Sequence, residues 1–328
     1  MRDGSDEIGA ADLQTPESGI RAVTRSPPIT EAFQHCFGIG PVRHQLLQLC
    51  GIRSWQDAVN FPDRIPAGIR AAAVTESQRC LSALERHDIA YFLNHFIVKD
   101  KWRVLDHYLE QAAFFDIETT GLEYDAQITV ICCWHRGQMH TFVEHENLDD
   151  FLDLLDDVTL LVSFNGATFD VPRLLAAFHI PELPCPHLDL RWSCYHRGHR
   201  GSLKAISQQQ RIQRPPDLHD ADGALAIVLW NCWMMSGDAA ARNRLVRYCA
   251  SDVLLLAMVA QRILGIKSIP VANLWAHLPN LAKSHDSPEQ PPIEQTAKSV
   301  WSPPTSIGSF GAANPNKLRA RNRTPKKR

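Results

Sequence analysis

The chain has 328 residues, 45% of them hydrophobic and 21% charged, with a formal net charge of −2. That balance fits a globular protein with an ordinary core and excludes one that holds polyanions through bulk positive charge. No apolar run approaches the roughly 18–20 residues of a membrane-spanning helix, and residues 1–30 lack the basic start and apolar core of a secretory signal, so a cytoplasmic location without a membrane partner is expected.

Residues 1–30 are polar and irregular and read as disordered. Residues 31–75 have a helical pattern with glycines at 38, 40 and 51. The segment Phe37-Gly38-Ile39-Gly40-Pro41, followed by Leu46, Leu47 and Gly51-Ile52, resembles a helix-hairpin-helix. In that motif the backbone N–H groups of a Gly-x-Gly turn approach a phosphate, which makes Gly38 and Gly40 candidate nucleic-acid contacts. The usual lysine of the following helix is missing. Residues 76–110 read as a helical linker.

The main domain is expected over 111–268. Ala112–Ile117 is a short apolar run that suits a buried strand, Gln127–Trp134 is β-branched and apolar, and Gln138–Val143 makes a third strand. Helical spacing follows at 148–155, a strand at Val158–Phe164, and helices at 167–178, 202–209, 221–235 and 239–264. Three strands, then a strand flanked by helices, predict an α/β domain with a mixed sheet. Residues 269–328 hold nine of the 21 prolines and end with seven basic residues and no acid over 312–328, the pattern of a disordered tail.

Three acidic segments stand out. Asp116 and Glu118 lie two apart at a strand end, so both side chains emerge on one face. At close contact they repel by roughly 4 kcal/mol at an effective dielectric near 20, a conflict that a divalent cation resolves. Asp170 follows an Asn165-Gly166 turn and opens a helix. Tyr248 and Asp252, four apart, share one face of the long 239–264 helix amid Leu245, Val253, Leu255 and Leu256, where a lone carboxylate is costly.

In order and spacing, Asp116-Ile-Glu-Thr-Thr-Gly-Leu122, Asn165-Gly-x-x-Phe-Asp170 and Tyr248-x-x-x-Asp252 resemble the three motifs of the DEDD exonucleases, over about 140 residues. Arg247 stands where the histidine subtype has its histidine, so Tyr248 marks the tyrosine subtype. His187–Leu190, Ser202–Lys204, Asp222-Gly223 and Trp102-Arg103 are further similar to the YprB-type predicted exonuclease family. Gln210-Arg211 and Cys249 depart from that family, which has Leu-Gly and often Asn there.

The resemblance implies an RNase H-like mixed β-sheet flanked by helices, with the small helical unit in front of it. It also implies metal-dependent 3′→5′ hydrolysis of nucleic acid, DNA before RNA, at a single-stranded 3′ end. Asp116, Glu118, Asp170 and Asp252 would hold two Mg²⁺ or Mn²⁺ ions about 4 Å apart, and Tyr248 would orient the attacking water. Thr119, Gly121 and Leu122 would meet the terminal nucleotide, Asn165 would touch substrate or fix its turn, and Lys204 belongs to the substrate side. Residues 190–216, with six basic residues and no acid, would grip phosphates.

Two other readings compete. One is a nucleic-acid-binding or scaffolding protein that keeps this fold without catalysis. The other is a zinc-stapled module built on Cys185, His187, Cys194, His196 and His199, whose spacing matches no zinc-finger pattern. Nine cysteines without a CxxC pair suit free thiols.

Overall fold

The computed structural model describes residues 28–280 except 124 and 267–270, together with the backbone alone of 271 and 272. The expectations for residues 1–27 and for the tail beyond 280 lie outside the described residues.

Among the described residues five α-helices precede the sheet: α1 (Pro41–Leu49), α2 (Trp55–Asn60), α3 (Ala67–Glu85), α4 (Ile89–His95) and α5 (Trp102–Tyr108). Pro41 sits in the first turn of α1, where its missing N–H leaves no bond unmade. Ser54 and Asp57 close a reciprocal capping box on α2. Among the described residues before Gly38 there is the short 3-10 turn Ile29–Glu31 and no α-helix, so the predicted helical pattern begins ten residues late. Trp55, stacked on Phe92 at 5.8 Å and donating its indole N–H to the Ala32 carbonyl at 2.6 Å, locks that irregular start onto α2 and α4.

The sheet then forms from β1 (Ala112–Thr119), β2 (Ile128–His135) and β3 (Gln138–Val143), followed by α6 (Asp150–Leu155), β4 (Leu160–Ser163), α7 (Asp170–Ala177) and β5 (His187–Asp189). The strand order is β3-β2-β1-β4-β5. Strand β1 is antiparallel to β2 and parallel to β4, β2 is antiparallel to β3, and β4 is parallel to β5. Helices α8 (Leu190–His196), α9 (Leu203–Gln209), α10 (Gly223–Ser236), α11 (Ala239–Ile263) and the single-turn α12 (Val271–Leu274) complete the described chain. This is the expected RNase H-like mixed sheet with helices on both faces.

Strand alternation divides the core. Ala112, Phe114, Val130, Cys132, Leu160 and Val162 share one cluster with α11 and the five leading helices, whereas Ala113, Phe115, Ile131, Leu161, Phe151 and Leu174 form another on the opposite face. Leu274 and Leu278 are buried in the first cluster, so ordered packing continues past residue 268, where the sequence pattern ends the domain. Strand β5 and helix α8 carry no alternation or heptad long enough to mark them, and their position is fixed by pairing with β4 instead.

Two caps set α10 and α11. The Asp222 carboxylate accepts from Leu225 N at 2.9 Å, and Asp238 accepts from Ala240 and Ala241 N at 2.9 and 3.1 Å. Between the helices Gly237 takes φ +67°, the left-handed conformation that ends α10.

Candidate active site

Asp116 and Glu118 follow Phe114 on the even-numbered face of β1, so they point toward α11. A register shift between Glu118 and Thr119 ends the ladder just beyond them. Helix α11 lies across this face, with Cys249 Sγ 3.4 Å from the Asp116 carbonyl. Tyr248 and Asp252, one helical turn apart, look into the same cleft, which has a volume of about 230 Å³ and is also lined by Thr119, Gly121, Leu122 and Phe169. Asp170 opens α7 and is buried.

The four carboxylates act on one another. Burial pushes Asp116 and Glu118 well above the usual carboxylate range, and the charges of Asp170 and Asp252 push them further. Burial also raises Asp170, to about 7. Asp252 is raised by burial, although Arg214, Tyr248 and Lys204 pull it back. Lone structural acids are not gathered like this, whereas hard divalent cations bind such an all-oxygen set well. Ligand atoms of Asp116 and Glu118 lie within 4.8 Å of each other and of Cys249 Sγ. Burial holds the Cys249 thiol far above its ordinary range, so it stays a neutral donor rather than a thiolate ligand.

The loops framing the cleft are tied down by specific bonds. Thr119 Oγ1 donates to the Gly121 carbonyl at 2.6 Å. Arg173 on α7 donates to the Leu122 and Glu123 carbonyls, both at 2.9 Å, and stacks 3.7 Å over the Phe169 ring. This leaves the Leu122 side chain 79% exposed at the mouth. Asn165 adopts φ +65°, which Asn tolerates better than most residues. Its N–H goes to Asp189 at 2.8 Å and its side-chain carbonyl accepts from Arg191, so Asn165 is engaged in holding the turn.

Gly166 has no room for a side chain: an added Cβ would meet Ser163 Cβ at 2.6 Å and Asp170 Oδ2 at 2.9 Å. Gly166→Ala is therefore expected to displace Asp170 and to lower stability by ~1–3 kcal/mol. Thermal melting together with a Mg²⁺ titration checks this, and unchanged metal affinity would show that the turn does not set Asp170.

Sequence reasoning missed two residues. Asp189, at the end of β5, accepts from Asn165, Ala167 and Arg191 N–H groups and so organises the turn before α7. Arg214 forms an ion pair with Asp252, donates to the Ala221 carbonyl at 2.8 Å and lies 4.8 Å over the Tyr248 ring. Its Nε is buried without a hydrogen-bond partner. The acid-free run over 190–216 was the available signal, but it pointed to substrate phosphates rather than to a motif carboxylate.

Lys204 is near enough to Asp252 to lower its pKa. Gly38 and Gly40 stand at the start of α1 and do not line the cleft. The Cys/His group of 185–199 does not converge: Cys185 belongs to one core cluster and Cys194 to the other, on opposite faces of the sheet. Burial holds His187 down to about 4, and its Nε2 is 2.8 Å from Ser163 Oγ.

The family described as the RNase_H superfamily matches residues 113–264, which carry all four carboxylates and Tyr248. No curated protein sequence matches the chain. Among solved structures, the family B DNA polymerase from the hyperthermophilic archaeon Pyrobaculum calidifontis is similar at 17% identity and a TM-score of 0.39. That likeness covers 50% of this chain and 27% of the polymerase.

Proposed function

We propose, from an RNase H-like domain that gathers four acids at one sheet edge, that the protein is a metal-dependent 3′→5′ exonuclease. It would hydrolyse phosphodiester bonds at a single-stranded 3′ end, of DNA in preference to RNA, and release nucleoside 5′-monophosphates. The observation that carries this reading is that Asp116, Glu118, Tyr248 and Asp252 line one cleft, with the buried Asp170 carboxylate close enough for its charge to act on Asp116 and Glu118.

Asp116, Glu118, Asp170 and Asp252 would hold two divalent cations, Mg²⁺ or Mn²⁺. When bound, these supply charge neutralisation at the attacking and leaving oxygens. Burial and the neighbouring Asp252 and Glu118 charges raise the Tyr248 hydroxyl far above its ordinary range. Tyr248 therefore keeps its proton and positions the attacking water by hydrogen bonding rather than acting as a base. Leu122, exposed and apolar, packs on the terminal base, and the Thr119–Gly121 backbone meets its sugar. Lys204 faces the phosphates.

A 5′-labelled oligonucleotide assay with Mg²⁺, Mn²⁺ or EDTA tests this. A ladder shortening from the 3′ end, lost in EDTA and in Asp116→Ala, is expected. One observation favours the second reading, a non-catalytic nucleic-acid-binding protein: Arg214 already sits on Asp252. Retained oligonucleotide binding with no ladder under either metal would select that reading.

A further inference from the structure

Helix α8 turns Leu190, Ser193 and Cys194 inward and leaves Arg191, Trp192 and Tyr195 in solvent. Trp192 is 50% and Tyr195 44% exposed. Their rings lie 6.2 Å apart, edge to face at 72°. The Arg191 guanidinium is 5.8 Å from the Trp192 ring centre, and that of Arg200 is 4.8 Å from the Tyr195 ring centre. Two large rings on one short helix thus stand open, flanked by the guanidinium groups of Arg191 on that helix and Arg200 just after it, inside a stretch from 190 to 216 without a single acid.

The place of this patch matters as much as its chemistry. Strands β1, β4 and β5 run parallel, so their carboxyl ends share one sheet edge. Asp116 and Glu118 lie toward that end of β1, and α8 starts directly after β5. Two strand spacings, about 10 Å, separate β5 from β1, roughly the length of three stacked nucleotides at 3.4 Å each. Arg191 also donates to Asn165, in the turn that sets Asp170.

We propose that the outer face of α8 is a stacking platform for the single strand that feeds the cleft, with Trp192 and Tyr195 taking bases and Arg191 and Arg200 taking phosphates. This rests on the exonuclease reading for its direction but makes a separate claim about which polymer binds and where. A duplex hides the base faces that the rings need, and a protein partner would meet an unusually cationic surface. Aromatic faces accept every base, so the platform discriminates strandedness rather than sequence.

The test measures fluorescence anisotropy of labelled 12-nucleotide single-stranded DNA, single-stranded RNA and blunt duplex DNA with the full chain, in EDTA and in Ca²⁺. W192A and Y195A are each expected to weaken single-strand binding by about 5-fold or more, and the double variant by about 30-fold or more, in line with ~1–3 kcal/mol per stacked base. W192F and Y195F keep the rings and are expected to stay within about threefold of wild type, which separates stacking from lost fold. The duplex is expected to bind more weakly and to respond less. Wild-type binding that ignores both alanine changes, or that prefers the duplex, would overturn the platform even if the 3′ ladder is found. A missing ladder with ring-dependent single-strand binding would overturn the exonuclease reading and leave the platform standing.

Discussion

On the proposed exonuclease reading, in which Asp170 is a metal ligand, Asp170→Asn is expected to reduce 3′-end cleavage by about 10³-fold or more, because losing a ligand would forfeit several kcal/mol of charge stabilisation. In the same protein it is expected to raise the melting temperature without metal at pH 8. Burial lifts the Asp170 carboxyl from 3.8 to about 7. Between those two values the folded form holds a proton that the unfolded chain has already released, and above about 7 it must carry a buried charge. A raised carboxyl contributes stability that is fully present below about pH 3.8 and is lost as pH rises through about 7. At ~1.4 kcal/mol per pH unit, that loss is on the order of 4 kcal/mol for this side chain. Asp116, Glu118 and Asp252 move in the same direction. Metal-free wild-type protein should thus melt lower at pH 8 than at pH 5, and Asn at 170 should flatten that slope. Saturating Mg²⁺ should restore the wild-type protein at pH 8 and leave the variant nearly unmoved, since binding at about 100 times Kd adds ~2.7 kcal/mol. Scanning calorimetry at both pH values, with EDTA and with Mg²⁺, decides it. Equal melting of variant and wild type at pH 8 in EDTA would show that the acids do not repel as their burial implies.

The legible part of this site is what repeats locally. Asp116 and Glu118 were placed on one face by period-two alternation, and Tyr248 and Asp252 by the helical four-residue step; β1 and α11 present them in that way. The first strands were legible as elements because runs such as Gln127–Trp134 are mostly apolar and β-branched, although β1 runs on to Thr119 and β2 spans Ile128–His135. What escaped was set by partners distant in sequence. Strand β5 has three residues and exists because β4 pairs with it. Asp189 gains its role only where the chain folds back onto the Asn165 turn, 24 residues away. The cysteines at 185 and 194 looked like a cluster in one dimension, but the sheet passes between them. Asn165, read as either a substrate contact or a turn former, is committed to the turn by its left-handed backbone and by Arg191.

Arg214 is the sharpest case, and replacing it should separate stability from metal binding. Its guanidinium and the Asp252 carboxylate are both nearly inaccessible, with side-chain exposures of 9% and 13%. Burial works against the arginine's charge, but Asp252 and Tyr248 more than offset it and raise its pKa. Arg214→Met keeps the length and apolar contact over Tyr248 while leaving Asp252 as an uncompensated buried carboxylate. Metal-free stability at pH 8 is expected to fall by ~3 kcal/mol or more, as for other buried pairs broken from one side. The loss should shrink toward pH 5, because without the guanidinium Asp252 takes up a proton more readily and its burial then costs less. Metal affinity should move the other way. Arg214 occupies the Asp252 carboxylate, a metal ligand in the proposed site, and adds positive charge beside it, so Mg²⁺ should bind the variant at least about tenfold more tightly. Titration calorimetry gives the affinity, and melting in EDTA gives the stability. Tighter Mg²⁺ binding with a lower metal-free melting point would make Arg214 the site's internal counter-ion, in place until metal arrives. Weaker Mg²⁺ binding would mean instead that the arginine aims Asp252 at the metals and stays with it throughout the reaction.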